Sequence, residues 1–558
     1  MNHELRAGIL TFGVALAALS ATHSPAFGAD IDGFPLCTAP GDQLSPVVVA
    51  DGAGGAIMAW HDRRPTVALG GVCFAQRVNA AGAPQWTVNG VALSTTGDPG
   101  DPEAPAIAAD GAGGAFVAYG GSSSPPRAQW VNAAGSPQWG ADGVQLTTAS
   151  PTMRELAIVR DIGGAGAAIV VWRQDNGAAG LSDIYAQKVN AAGAVQWGSQ
   201  GVPVTTTSMN SETLPALLSD GAGGAIIVHL GSNGCRAQRL NASGVSQWGN
   251  TPLNALANNR PPVIVTDGSG GAVVAWAAGN TGIFAQRVTS AGDRQWSPTN
   301  TGVQISTTGN QCTMIPDGAG GATVAWQDNR TGTNFNIYAQ RVNGLGATQW
   351  FMNGVAVCAV QDDQLAPTIV SDGGTGAILT WYDARFLASG DDIYAQRINA
   401  VGASQWTPDG LPVCTVANDQ QLPTLAADGA GGAFVCWQDL RTGTNSDIYF
   451  HHLNASGQVL SGPGEDQALS MARAWPNPFL ESVRLAFVLP AATMMRLEVF
   501  DVRGRCMRAY EPRLLAAGEQ ALAWDGHASD GHAAGPGIYY LRVTGPGIAL
   551  SRRVVRLE

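Results

Sequence analysis

A segment of the form D-G-x-G-G-A, or a close variant, begins at Asp51, Asp110, Asp161, Asp220, Asp267, Asp317, Asp372 and Asp428. The intervals run from 47 to 59 residues. A second marker follows at Ala75-Gln76-Arg77, Ala186-Gln187-Lys188, Ala237-Gln238-Arg239, Ala285-Gln286-Arg287, Ala339-Gln340-Arg341 and Ala395-Gln396-Arg397. The second copy reads Ala128-Gln129-Trp130 there, and the eighth has drifted to Phe450-His451-His452. A third marker, Gln-Trp, closes seven copies at Trp86, Trp139, Trp197, Trp248, Trp296, Trp350 and Trp406. A repeat of this length confines the chain to folds in which one supersecondary unit packs against copies of itself.

The seventh copy shows what the unit is. Residues 367–371 form a short run centred on β-branched residues, followed by the turn Asp372-Gly373-Gly374-Thr375-Gly376. Glycines there supply the positive φ that a tight hairpin needs. Residues 377–382 are a second apolar run, 392–399 alternate as a strand does, and 411–415 make a fourth strand. Four short strands per repeat predict a propeller blade rather than a solenoid coil. The segment Phe34-Pro35-Leu36-Cys37-Thr38 matches the fourth strand Leu411-Pro412-Val413-Cys414-Thr415, yet precedes the first turn. The last copy lacks a clear fourth strand. The N-terminal strand is therefore expected to complete the last blade and leave no edge open. The expected fold is all-β: an eight-bladed β-propeller over 30–460, a linker over 461–473, and a small C-terminal Ig-like β-sandwich over 474–558.

Arg6 precedes an uncharged, largely apolar run over 7–20, and 21–29 ends in small residues. That order predicts a cleaved export signal over 1–28, with cleavage after Gly28 or Ala29. No later stretch is long and apolar enough to span a membrane as a helix. The net charge of −12 argues against a nucleic-acid partner. Lys188 is the only lysine, which removes Schiff-base and P-loop chemistry from nearly the whole chain. The eight cysteines contain no C-x-x-C pair and no zinc-like Cys/His spacing. Cys37, Cys358 and Cys414 occupy equivalent positions in different repeats, too far apart to pair, and read as small core residues.

The strand ends Trp60-His61-Asp62-Arg63-Arg64, Trp326-Gln327-Asp328-Asn329-Arg330, Trp381-Tyr382-Asp383-Ala384-Arg385 and Trp437-Gln438-Asp439-Leu440-Arg441 share the pattern W-x-D-x-R. This pattern is similar to that of sialidase-like, Asp-box propellers. Asn399-Ala400-Val401-Gly402-Ala403-Ser404-Gln405-Trp406 resembles a worn Asp box that keeps its glycine and Trp. The resemblance implies a blade framework rather than an activity.

After residue 460 the composition shifts, and 474–558 hold ten arginines against eight acids. Runs at 483–489, 496–502, 520–524, 537–544 and 548–557 read as strands. Trp475-Pro476-Asn477-Pro478-Phe479, then Asp501 and Gly504, Trp524-Asp525-Gly526, Gly537 and Tyr539 follow in order. This series resembles type IX secretion sorting domains and the related flagellar hook-capping Ig-like domain. The resemblance implies recognition by outer-membrane secretion machinery, and a secreted or cell-surface bacterial protein.

Asp62, Arg64, Asp328, Arg330, Asp383, Arg385, Asp439 and Arg441 are candidate ligand contacts on one rim. The competing reading is that each pair pins its own loop. A sialidase needs one unique tyrosine, a glutamate and three converging arginines, whereas Tyr185, Tyr338, Tyr394 and Tyr449 recur. Each Asp-Gly turn offers one carboxylate, too few for calcium, so neither a metal nor a cofactor is expected. His61, His229, His451 and His452 read as scattered surface residues. The expected function is non-enzymatic binding of a protein or glycan through the variable loops 63–71, 175–182 and 329–335. A divergent glycoside hydrolase and a structural envelope protein are the alternatives.

Overall fold

The computed structural model describes residues 32–460 and 473–557, apart from 66–69, 98–102, 122–123, 150–151, 164–165, 176–180, 206–210, 232–233, 255–259, 298–300, 387–389, 490–492, 503–504, 517 and 546–547. The expected export signal and nearly all of the linker lie outside the described residues. Among the described residues there is no α-helix, and outside the C-terminal domain the strands form seven four-stranded sheets and one five-stranded sheet. In the first sheet, Gln43–Ala50, Ala56–Asp62, Val72–Val78 and Val91–Ala92 pair antiparallel in chain order. The seventh repeats this with Gln364–Ser371, Ala377–Asp383, Asp392–Ile398 and Leu411–Cys414, close to the strands read from sequence.

The three sequence markers are parts of one bonded unit. Asp51 Oδ1 accepts the backbone N–H of Ala53 and Gly55, and so shapes the first hairpin. Gly52 and Gly54 have φ of 78° and 85° there, and a Cβ on Gly55 would lie 2.2 Å from the Val78 carbonyl. Asp51 Oδ2 accepts from the Arg77 guanidinium at 2.8 Å, and Arg77 also donates to the Ala133 carbonyl of the next sheet. Gln76 Oε1 accepts the N–H of Arg77 and Trp86, and Trp86 Nε1 donates to the same Ala133 carbonyl. The Trp link to the next sheet recurs for Trp139, Trp197, Trp248, Trp296, Trp350 and Trp406. Where arginine is missing, Trp130 bonds Asp110 at 2.9 Å and His452 bonds Asp428 at 3.0 Å.

The second strands are apolar without alternation because both of their faces are covered. Ile57 and Ala59 pack with Ala115 and Val117 of the second sheet. Ala56, Met58 and Trp60 pack on the opposite side with Phe434, Cys436 and Phe450 of the last sheet. First strands touch in chain order from sheet to sheet, and the first strand of the last sheet, Gln420–Ala427, touches Gln43–Ala50.

Phe34–Cys37 pairs antiparallel with the third strand of the last sheet, Asp447–Leu453. Phe34 lies opposite Phe450, and Pro35 opposite Tyr449. The last copy does carry a short fourth strand of its own, Val459–Leu460, paired with His452 and Leu453. Two strands therefore share that outer edge, at opposite ends. The histidines expected at the surface are a correction: His61, His229, His451 and His452 are all buried. Each replaces or adjoins a framework residue of the repeat and takes its place in the interior.

The C-terminal domain sets a three-stranded sheet (Arg473–Trp475, Val483–Leu489, Gly518–Trp524) against a five-stranded one built on Thr493–Asp501, Gly537–Gly545 and Ile548–Arg556. The short strands Cys506–Ala509 and Arg513–Leu515 flank Thr493–Asp501. Its core joins Phe479, Leu485, Leu497, Trp524, Tyr539, Leu541 and Val554.

Burying Leu36 alone is worth about 1.5–3 kcal/mol. A chain starting at Gly41 should therefore unfold at a lower urea concentration, followed by tryptophan fluorescence. An unchanged midpoint would show that Phe34–Cys37 does not close the last sheet.

Candidate functional site

Sequential antiparallel order puts the D-G-x-G-G and Gln-Trp turns at one end of the sheets. The W-x-D-x-R ends, the second-to-third connections and the links between sheets emerge at the other. The loops that vary among repeats therefore gather on one face, while the turns of the framework occupy the opposite one.

On the variable face, the four W-x-D-x-R clusters belong to the sixth, seventh, eighth and first sheets, which are consecutive in the order of contacts. Asp62, Asp328, Asp383 and Asp439 are fully buried. The tryptophan Nε1 of each motif donates to its aspartate at 2.7–3.0 Å. Arg64, Arg330, Arg385 and Arg441 pair with the same aspartates at 2.6–2.7 Å. Each guanidinium lies over the ring of Phe74, Tyr338, Tyr394 or Tyr449, 3.6–3.8 Å from its centroid. Burial acts to raise the Asp62 and Asp328 carboxyls, but the arginine and tryptophan donors outweigh it and hold them below the usual carboxylate range. The ion pair of each motif thus closes within its own sheet.

Cys37, Cys358 and Cys414 sit beside three of these arginines, with Sγ 3.2–3.5 Å from Nη2. Burial pushes their thiols up to about 12.

The seventh sheet carries a second acid directly across from the buried Asp383. Asp392 is its register partner, and neither Asp392 oxygen has a hydrogen-bond partner. In the sixth and eighth sheets, Asn334 and Asn445 donate to Asn336 and Asp447; the seventh has Gly390 at the donor's position. Burial, with the charge of Asp383, pushes Asp392 up to about 7. Burial and Asp439 likewise push Asp447 up to about 6.

A cavity of about 230 Å³ opens between the first and second sheets on the variable face. His61, Val72, Thr96, Glu103, Pro105, Tyr119 and Arg127 are among its lining residues. Tyr119 stands at the tryptophan position of the repeat and Arg127, its register partner, at the Tyr/Phe position. The Tyr119 hydroxyl lies within 3.0 Å of the carbonyls of Leu93 and Asp142, either of which can accept its one proton, and Arg127 Nη1 donates to the Asp142 carbonyl at 3.1 Å. His61 Nε2 donates to the Gly70 carbonyl, and Glu103 lies 3.7 Å from Arg154. A guanidinium, a carboxylate and an imidazole thus converge beside apolar walls. The W-x-D-x-R reading did not find this cavity. Its signal in the sequence was the second copy's departure from the repeat.

In the C-terminal domain, the ends of the sequence meet. Asn477 donates to the Arg553 carbonyl and accepts the Val555 N–H. Phe479 N–H donates to the Val555 carbonyl, and its ring packs edge-on against Trp524, itself 4.9 Å from Tyr539. Trp475, Pro476, Asn477 and Pro478 are exposed on this edge. Asp501 bonds Arg505, Asp525 caps His527, and Gly526 has a φ of 71°; Gly537 opens the strand that carries Tyr539. Gly504 lies outside the described residues.

Residues 481–547 match the family model of the FlgD Ig-like domain. The C-terminal domain is a FlgD Ig-like domain. No curated protein matches the chain significantly. Among solved structures, the chain is similar to the BP39L lectin from Burkholderia pseudomallei. That match has 12% identity over 62% of this chain and 93% of that one, with a TM-score of 0.44. It is also similar to FlgD from P. aeruginosa, with 17% identity over 16% of this chain and 75% of that one and a TM-score of 0.13. PorZ of Porphyromonas gingivalis, described as a surface component of the type-IX secretion system, matches at 11% identity over 92% of this chain and 81% of that one, with a TM-score of 0.20.

Two outcomes follow from these surroundings. Cys506, in the FlgD Ig-like domain, is exposed, whereas the other seven cysteines are buried and free. A thiol reagent should label one cysteine per native chain quickly and the rest only in denaturant; fast labelling of a second would contradict the packing. Asp392 favours its protonated form in the fold, so its cost to stability grows between the unfolded value near 4 and about 7, then levels off. Asp392→Asn should raise the melting temperature at alkaline pH, by an effect on the order of a few kcal/mol, and leave it nearly unchanged near pH 4. An equal shift at both ends would contradict this assignment.

Proposed function

We propose that the chain is an exported, eight-bladed β-propeller that binds a glycan on its variable face without cleaving it. Its FlgD Ig-like domain sorts or attaches it at the bacterial outer membrane. The eight repeats, the unbroken order of sheet contacts and the paired N-terminal strand support a closed ring of eight blades. The polar cavity between the first and second sheets carries the binding reading. Adjacent hydroxyls of a pyranose offer donors to a carboxylate such as Glu103 and acceptors to a guanidinium such as Arg127, while the C–H face needs apolar walls like Val72 and Pro105. Its volume, about 230 Å³, suits one sugar residue rather than a long oligosaccharide. Hydrolysis of a glycoside uses two flanking carboxylates, and Glu103 is the one carboxylate among the described lining residues.

Export is supported by the leader-like N-terminus and the order of sorting-type motifs in the FlgD Ig-like domain. Among the described residues, no helix is long and apolar enough to cross a membrane. Trp475, Pro476, Asn477 and Pro478 offer an exposed edge to secretion machinery, while Phe479 anchors that edge in the core.

Glycan-array binding by the purified chain tests this reading. Retention of defined glycans, weakened about tenfold or more by Arg127→Ala or Glu103→Gln, is the expected result, since a charged hydrogen bond is worth about 1.5–3 kcal/mol. Binding that survives both changes would remove the cavity from the account, and release of free sugar would favour the hydrolase.

A further inference from the structure

The last sheet departs from its neighbours at two adjacent framework positions. The other seven copies carry glutamine and then arginine, lysine or tryptophan; this one carries His451 and His452. Both are buried, and both sit at the seam between the chain's beginning and end. The Gly33 N–H donates to His451 Nε2 at 2.8 Å, just before the strand Phe34–Cys37. A backbone N–H can only donate, so that nitrogen must be unprotonated, and His451 is held as the Nδ1–H tautomer. Phe34 meets the imidazole edge-on at 5.3 Å, and Trp437 lies 5.8 Å away. His452 stacks on Phe434 at 3.9 Å, bonds Asp428 through Nε2, and reaches the Ala80 backbone of the first sheet. Ala80 of the first sheet matches Ala133 of the second, the carbonyl to which Arg77 and Trp86 of the first sheet donate.

We propose that His451 forms an acid-sensitive clasp: protonation releases Phe34–Cys37 from the last sheet. A proton on His451 Nε2 turns the acceptor into a donor facing another donor, and places charge among aromatic rings. Burial holds His452 below the usual imidazole range despite Asp428, so stability falls as the pH drops below the unfolded value of 6.5. The charged groups on the packed elements are Asp428 on the turn, Asp439 and Arg441 bonded to each other, Asp447 on the third strand, and Asp32 beside Gly33. The raised carboxyls Asp392 and Asp447 favour the acid side, so they act against opening there and do not mimic it. Glutamine and arginine, as in the other copies, do not titrate in this range.

Hydrogen–deuterium exchange on the full chain, compared at about pH 7.5 and about pH 5 after correction for intrinsic rates, tests the clasp. Protection of 33–38 and 447–453 should fall about tenfold or more at the acid pH, while the equivalent strand Asn336–Val342 stays protected. His451→Gln restores the residue of the other copies and should abolish the loss at 33–38. Unchanged protection at acid pH, a loss spread evenly over all sheets, or a loss at 33–38 that persists in His451→Gln would each overturn the proposal.

Discussion

Every sheet of the repeat region depends on an aspartate that shapes a turn with one oxygen and holds a neighbouring strand with the other. Asp51 does both, to Ala53 and Gly55 on one side and to Arg77 on the other. Arg77 passes the link to a carbonyl of the next sheet, where Trp86 also donates. The pairing of charges is local and partly exposed, so little of its value is coulombic. Its importance is geometric: it ties the turn to the third strand, beside the closing tryptophan that bonds the adjacent sheet. Apolar packing of the second strands then supplies most of the cohesion.

The framework was legible because it repeats. Asp51, Gln76, Arg77 and Trp86 recur at fixed order, and each proves to be part of the same bonded unit. The N-terminal strand was legible for the same reason, since residues 34–38 copy 411–415. The features that set one face apart were harder to read, because they are exceptions. Tyr119 and Arg127 replace framework aromatics in the second copy, as His229 and Arg236 do in the fourth, and only the fold shows that the first pair borders a cavity. His451 and His452 looked like decay of Gln-Arg, since the expected closure does not show which backbone groups face them. The extra strand Val459–Leu460 was missed because two residues carry no periodicity.

The W-x-D-x-R clusters show how a repeated polar motif differs from a site. Their aspartates are buried, their arginines lie on aromatic rings, and their ion pairs close within each sheet. The cavity between the first and second sheets has the opposite character: unlike groups, brought together once. In the FlgD Ig-like domain the exposed Trp475-Pro476-Asn477-Pro478 segment is locked to the final strand by Asn477 and Phe479. Loss of the chain's last residues would therefore disturb the domain's opening motif, although some 70 residues separate them.

The arrangement of the sheets about an axis is the claim on which the cavity, the seam and the shared face all rest. Electron cryomicroscopy of the purified chain, viewed down that axis, measures it directly. The account predicts eight radial sheets in a closed circle, with the segment bearing Leu36 on the outer side of the last. Sheets stacked in an open row, or a circle that closes without that segment, would contradict it.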